Sequence, residues 1–265
     1  MEFAKDIIVP TSFDPNPDVP RNHKALRRIF QGAVGALDGT LVHSVIPNDQ
    51  QTCYRGRGRG ECYQNVLGIC DFNIIFTFVW GGWEGVAHDS RILTEVAFDP
   101  DAGFPFPPPN KYYLCDAAYT NTIGFMTPFR NTRYWAADFN GRRPLTRQEK
   151  FNHAHARLRN VIERAYGVLK SRFPILKQMA PYPFSVQKDI IIVYFAVHNF
   201  IRMKKIDDTL FAEYDNATSS DDEEEENRNE GQLNREQHYR QQWRTQGVQY
   251  MNNFRDQIAN QLERM

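Results

Sequence analysis

Three strand-like segments follow one another before the first helix-like segment, and this order constrains the fold more than any other feature. They cover about residues 33–45, 63–72 and 74–81, where apolar and β-branched residues lie between turn-forming stretches. Consecutive strands usually pair as an antiparallel meander, and a later strand then joins the sheet by a crossover. The sequence therefore predicts an α/β fold, a mixed sheet flanked by helices.

The rest of the chain supplies the later strand and the covering helices. Residues 111–116 form a short apolar and aromatic run after the prolines of 105–109, which predicts a buried strand. Apolar residues recur at helical spacing over about residues 146–172, which predicts a long helix. The apolar residues of 190–201 indicate a final core helix. A further strand is predicted near 133–137.

Composition sets the class of protein. With 265 residues, 41% of them apolar, the chain can bury one sizeable core. No apolar run is long enough to cross a bilayer, and the N-terminus lacks the pattern of a secretory signal. The four cysteines form no Cys-x-x-Cys pair, which disfavours zinc and gives no reason to expect disulfides. We therefore expect a reducing compartment and no membrane association.

A neutral net charge conceals a strong asymmetry. Residues 207–230 contain eleven acidic residues and one basic residue, a net charge of −10, so the rest of the chain carries a net charge of +10. We predict a short leader at 1–30, too small and proline-rich for a DNA-binding module, and one domain at 31–205. An acidic disordered linker is predicted at 206–231, followed by a helical tail at 232–265 that docks on the domain.

Basic residues cluster in the body of the chain, and such clusters suit a phosphate backbone. The sharpest is Arg55-Gly-Arg57-Gly-Arg59, because glycines let guanidinium and backbone groups approach phosphates closely. Arg159 and Lys170 on the long helix are also predicted to bind nucleic acid. The alternative is that these residues form solvated surfaces and an ordinary hairpin loop.

Three carboxylates stand out by their context. Asp38 closes the apolar run 33–37, Asp116 ends the strand at 111–116, and Glu163 lies on the polar side of the long helix. Taken singly, each aspartate could be a turn or cap residue, and the glutamate could be solvated. Context alone therefore leaves both a shared site and these single roles open.

The segments around these acids resemble the catalytic domain of PIF/Harbinger-type transposases and their host-derived relatives, from about residue 30 to residue 205. The similar segments are GALDGTLV, QNVLGICDFNIIFTFVWGGWEGVAHDSRIL, KYYLCDAAYTNT and LRNVIERAYGVLKSRFPIL, and RDQIANQLER is similar to the C-terminal tail of that family. The resemblance implies a ribonuclease-H-like fold with a DDE metal triad, which falls on Asp38, Asp116 and Glu163. The chain departs from the family at Leu41, commonly His, and at Ala118, commonly Gly.

Clustered carboxylates repel one another unless a cation neutralises them, so such a group is usually a divalent-metal site or a proton-sharing pair. Hard oxygen ligands favour Mg²⁺ or Mn²⁺ over zinc. Two such ions can activate an attacking water or 3′-hydroxyl and stabilise the leaving oxygen. We predict that Asp38 holds both ions, and that Asp116 and Glu163 hold one each.

A fourth acid, Asp89, lies near the start of the helix predicted after Ser90. Since Ile92, Leu93 and Val96 have helix-compatible spacing, Asp89 or Ser90 is predicted to be the N-cap. The alternative role is to orient the active site.

Two functions are consistent with these residues. The first is a metal-dependent DNA endonuclease of transposase descent, acting by hydrolysis alone or by hydrolysis followed by strand transfer. The resemblance also implies a separate Myb-like DNA-binding partner and a nuclear location, with the cytoplasm as a second location. The second is a domesticated, non-catalytic chromatin or interaction protein that keeps the fold.

Overall fold

A computed structural model describes residues 2–10, 13, 26, 28–55, 60–134, 143–217 and 245–263, except for the side chains of 214–217. The strands are β1 Ala33–His43, β2 Tyr63–Cys70, β3 Phe76–Glu84, β4 Tyr112–Leu114 and β5 Phe125–Met126. The helices are α1 Glu2–Ile7, α2 Asp89–Ala97, α3 Arg147–Arg172, α4 Phe184–Met203, α5 Thr209–Ala217 and α6 Thr245–Glu263. Among the described helices, none combines the length and the apolar character that crossing a membrane requires.

The strands form one five-stranded sheet in the order β3-β2-β1-β4-β5. The first three strands are antiparallel neighbours, whereas β4 runs parallel to β1 and β5 runs parallel to β4. The predicted meander and crossover are therefore confirmed. Strand β5 was not predicted, because two residues are too few to show a strand period. Arg133 and Tyr134 belong to no strand, and residues 135–137 of the predicted strand lie outside the described part.

Two apolar clusters cover the two faces of the sheet. On one face, Ala36 and Leu114 pack with Leu158 and Ile162 of α3. On the other face, the residues that share a cluster with α2 are Leu37, Ile69, Tyr113, Ile92 and Leu93. Alternate residues of a strand point to opposite faces, so each strand contributes to both clusters. The sheet is flanked by helices, and the predicted ribonuclease-H-like α/β class is confirmed.

Helix α3 carries buried polar side chains toward the sheet. It begins with a capping box, in which Thr146 Oγ1 accepts a hydrogen bond from Glu149 N–H at 3.1 Å and Glu149 Oε2 accepts one from Thr146 N–H. Besides its apolar residues, α3 buries the polar side chains of Asn152, His155 and Arg159. These recur at three- and four-residue spacing, so they form one polar stripe inside the core.

The C-terminal helices also pack on the domain. Met251, Ile258 and Ala259 of α6 belong to the main apolar cluster. Helix α5 lies within the segment predicted to be a disordered linker, and Arg172 of α3 pairs with Asp208 just before it. The prediction of disorder was therefore wrong for 209–217, and residues 218–231 lie outside the described part.

Asn152 fastens the segment that precedes Tyr134. Its side chain accepts a hydrogen bond from Phe129 N–H at 2.8 Å and donates to the carbonyls of Phe129, Thr132 and Arg133. Buried backbone groups that lose such partners cost free energy, because no water replaces them.

We expect Asn152→Ala to lower the free energy of unfolding by about 2–4 kcal/mol, since it orphans several backbone groups. Chemical denaturation measures the loss. The control is Asn160→Ala on the half-buried side of the same helix, which should change stability by no more than about 0.5 kcal/mol. Equal losses in both variants would contradict the role given to Asn152.

Candidate active site

Asp38 lies in β1, and Asp116 follows the end of β4, the parallel neighbour of β1. Ala36 pairs with Leu114, so each aspartate comes two residues after this pair, and both act electrostatically on Cys115 and Arg159. Neighbouring strands are about 4.8 Å apart. Asp38 is only 2% exposed, while Asp116 lies half-buried beyond the end of its strand.

Each aspartate is oriented by backbone groups of its own loop or strand. Gly39 N–H donates to Asp38 Oδ1 at 2.9 Å, and Ala118 N–H donates to Asp116 Oδ1 at 2.8 Å. The second bond forms an Asx-type turn directly after β4. It uses only the backbone of residue 118, so alanine there supports Asp116 as a glycine would.

Glu163 reaches the same face from α3 and is joined to Asp38 by Arg159. The Arg159 guanidinium donates from Nη1 to Asp38 Oδ2 at 2.9 Å and from Nη2 to Glu163 Oε1. The Glu163 side chain is 35% exposed, whereas that of Arg159 is 3% exposed. Asp38 therefore lies at the closed end of the site and Glu163 at the open end.

All three acids act on the charge of this arginine. Burial by itself would lower the pKa of the Arg159 guanidinium, but Tyr134, Asp38, Glu163 and Asp116 raise it well above its usual value. The arginine therefore stays charged. The prediction that Arg159 contacts nucleic acid is wrong in this structure, because its donors are turned inward to protein partners.

A series of hydrogen bonds through His155 and Tyr134 holds Arg159 on the side away from the acids. Burial lowers the pKa of His155 to about 3, so the ring is neutral, and it lies 3.1 Å from the carbonyl of Met126 through Nε2. With Nε2 as the donor, Nδ1 accepts from the Tyr134 hydroxyl at 3.4 Å. That hydroxyl in turn accepts from Arg159 Nε at 2.9 Å. The inner stripe of α3 thus fixes the guanidinium that faces the acids.

Tyr166 ties α3 to the strand that carries Asp38. Its hydroxyl donates to the backbone carbonyl of Asp38 at 2.8 Å. A methyl group at Gly68 would lie 2.5 Å from that hydroxyl, so the strand beside Asp38 must carry glycine there. Sequence reasoning missed Tyr166 and Tyr134, since neither has a local pattern that indicates a partner. The Arg159–Glu163 pair did have a local pattern that indicates it, because a spacing of four residues is typical of ion pairs on a helix.

Asp89 lies behind β1 and not among the three acids. It is the first residue of α2 and Ser90 is the second, so the prediction that either is the N-cap was wrong; His88 occupies that position. Asp89 Oδ1 accepts from Asn65 Nδ2 at 2.6 Å, and a methyl group at Gly39 would lie 2.3 Å from the same oxygen. Since Gly39 and Asp38 point to opposite faces, Asp89 supports the strand from the far side.

Among the remaining predicted DNA contacts, the structure describes Arg55 and Lys170. Arg55 is exposed, and its guanidinium donates to Gln51 at 3.3 Å, whereas Arg57 and Arg59 lie outside the described residues. Lys170 is half-buried on α3, two helical turns beyond Glu163. The structure does not bring Arg55 or Lys170 into the acid cluster, and a role in DNA binding stays a prediction for these side chains.

The acids fit a divalent cation by their chemistry, although not as a ready-made cage. Within the described ranges, no group of three or more His, Cys, Asp or Glu side chains is arranged to hold a metal ion. Yet carboxylate oxygens are the ligands that Mg²⁺ and Mn²⁺ prefer. The guanidinium of Arg159 is a cation that already lies between Asp38 and Glu163 and is acted on by Asp116. It therefore stands where a cation is favoured.

Comparison with known proteins identifies the class. The sequence model of the family described as DDE superfamily endonuclease matches residues 37–199, more than half of the chain, and this span contains all three acids. The chain therefore belongs to the DDE superfamily endonuclease family, whose members typically use divalent metals. No curated protein and no solved structure matched the chain.

We expect Gly39→Ala to lower the free energy of unfolding by about 1–3 kcal/mol, because the new methyl group must displace the Asp89 carboxylate from Asn65. Thermal or chemical denaturation measures the effect. Combining it with Asp89→Ala should recover part of the loss.

The matched control is Gly167→Ala in α3, where an added methyl group meets no atom within 4 Å. It should leave stability unchanged or raise it by up to about 1 kcal/mol, since alanine favours helices over glycine. A neutral Gly39→Ala variant would contradict the packing of Asp89 against β1.

Proposed function

We propose that this protein is a divalent-metal-dependent DNA endonuclease of transposase descent, of the PIF/Harbinger type, that cleaves phosphodiester bonds. The single observation that carries the proposal is that the buried guanidinium of Arg159 pairs with both Asp38 and Glu163 and is acted on by the charge of Asp116. These acids come from a central strand, a strand end and a helix, and the family match spans all of them. Membership in an endonuclease family supports the reaction class.

The acids have distinct roles in the proposed reaction. Asp38, the central ligand, would hold two Mg²⁺ or Mn²⁺ ions, while Asp116 and Glu163 would hold one each. Bound there, the ions would activate a water or 3′-hydroxyl and stabilise the leaving oxygen. Asp38 is held in place beforehand, because Gly39 N–H fixes its carboxylate and Tyr166 fixes its carbonyl. Such preorganisation lowers the cost of assembling the site.

Access to the site comes from the side of Glu163, the more exposed of the pair that Arg159 joins. Lys170 lies on the same helix, and Arg55 precedes the Arg-Gly segment. We propose that Arg55, Arg57, Arg59 and Lys170 contact the phosphate backbone around the scissile bond. Cations at such positions add affinity that is independent of sequence and falls with salt.

Recognition of a particular sequence is assigned to a separate protein. We propose a Myb-like DNA-binding partner and action in the nucleus, with the cytoplasm as a second location. The chain's resemblance to PIF/Harbinger-type transposases supports this proposal. Hydrolysis alone and hydrolysis followed by strand transfer both use the same three acids.

A second function is favoured by one observation. Arg159 neutralises two of the acids, and the described residues hold no group ready for a metal. A domesticated protein that keeps the fold for chromatin binding and has lost cleavage would have such a site. The two functions differ in whether the protein cuts DNA when Mn²⁺ is supplied.

We expect the purified protein to nick supercoiled plasmid DNA in Mg²⁺ or Mn²⁺, and Asp38→Asn to reduce nicking on the order of 10³-fold or more. Asparagine keeps the size of the side chain and an oxygen that can accept from Arg159, and circular dichroism checks that the variant folds. Asp38→Ala should abolish nicking as well. Gel separation of nicked from supercoiled plasmid measures the rate.

Asp101→Asn is the control, because Asp101 is an exposed aspartate in the turn after α2. It should nick at the rate of the unmodified protein. Nicking that survives Asp38→Asn would remove the assignment of Asp38. Metal and DNA binding without any cleavage, with the DNA-binding partner present, would favour the chromatin function.

A further inference from the structure

The guanidinium of Arg159 bonds to two of the carboxylates proposed as metal ligands. It binds one oxygen of Asp38 and one oxygen of Glu163, and the other Asp38 oxygen already accepts from Gly39 N–H. Each oxygen of Asp38 therefore already accepts a hydrogen bond from the protein. A cation that takes the lone pairs now bonded to Arg159 competes with that guanidinium.

The two ion pairs of Arg159 differ in strength. The pair with Asp38 is almost fully buried on both sides, and removing either partner would leave an uncompensated charge in the core. The pair with Glu163 involves a carboxylate that is 35% exposed, so water and salt weaken it. Glu163 is also the longer and more flexible acid. The ion pair between Arg159 and Glu163 is therefore the one that breaks first when a competing cation binds.

Tyr134 resists displacement of the arginine. Its hydroxyl accepts from Arg159 Nε and is itself held by His155. The guanidinium thus bonds to Tyr134, Asp38 and Glu163, and the first two of these lie in the core. This arrangement keeps the positive charge beside the acids whenever a stronger cation is absent.

We propose that Arg159 is an internal counter-cation that competes with divalent metal for Asp38 and Glu163. Metal binding is then coupled to release of the guanidinium from Glu163, and the affinity for metal is set below what the acids alone would give. The inference rests on the proposed function, because it assigns the metal to the same acids. It adds a protein group that controls when the site is loaded.

The test is Mn²⁺ binding to the full chain, measured by isothermal titration calorimetry without DNA. In Arg159→Gln the competing charge is gone, so affinity should rise by about tenfold or more, as expected for the loss of one charge-assisted contact. Tyr134→Phe keeps the charge but removes the contact at Nε, and should raise affinity by a few-fold.

Arg91→Gln is the matched control, since Arg91 forms an exposed pair with Glu95 at the same four-residue spacing and 2.7 Å. It changes the net charge equally and should leave Mn²⁺ affinity within about twofold of the unmodified protein. A folded Arg159→Gln protein, shown by circular dichroism, that binds Mn²⁺ no more tightly would overturn the proposal.

A second measurement does not require the arginine to be replaced. The Nε–H group of Arg159 should give a distinct side-chain NMR signal in the metal-free protein and shift when Mg²⁺ is added. An unchanged signal at saturating Mg²⁺ would overturn the competition, including in the case where Arg159→Gln fails to fold.

Asp38→Asn separates this inference from the proposed function. Mn²⁺ binding that is lost in Asp38→Asn but unchanged in Arg159→Gln rejects the competition alone. No Mn²⁺ binding by either the unmodified protein or Arg159→Gln rejects both. Binding that emerges only in Arg159→Gln supports the competition directly.

Discussion

The structure depends on a charged group placed inside the core, the guanidinium of Arg159 against the carboxylate of Asp38. Taking both charges out of water costs several kcal/mol per ion, and their attraction repays this only with good geometry and further hydrogen bonds. Arg159 meets those conditions, because Tyr134 and Glu163 use its other donors. Gly39 N–H likewise satisfies the second oxygen of Asp38. The pair therefore specifies one arrangement of helix and strand.

The polar stripe of α3 extends this constraint through the domain. Asn152 fastens the segment at 129–133, and this segment leads to Tyr134, which holds Arg159. His155 connects Tyr134 to the carbonyl of Met126 in β5. In this way the outer parallel strand, the long helix and the central strand share one hydrogen-bonded network. Such networks are rigid when fully satisfied, which suits the support of reactive acids.

The main elements were predictable because each depends on local chemistry. The strand periods around Asp38 and Asp116 and the capping residues Thr146 and Glu149 can be recognised from neighbouring positions. Local reasoning was wrong where a residue's role depends on a distant partner. Arg159 looks like a surface cation on a polar helix face, yet its partner Asp38 is 121 positions away in the chain.

Asp89 shows the same limit on a smaller scale. Its place at the start of α2 suggests a cap, while its oxygen packs over Gly39 and bonds to Asn65 of β2. Helix α5 was hidden by the acidic composition of its surroundings, although Arg172 and Asp208 join the start of that segment to α3. The composition of a segment is an average over its residues, whereas the formation of a helix there depends on individual contacts such as the Arg172–Asp208 pair.

By itself the sequence determined the class of fold and the order of its main elements, and it indicated three candidate acids, because periodicity and sequence motifs are properties of consecutive residues. Only the tertiary structure decided which charges face one another. It put Arg159 between Asp38 and Glu163, where the charge of Asp116 also acts on it. The physical reason is that a buried charge must find an opposite charge or hydrogen-bond partner, and where that partner lies is set by how the elements pack.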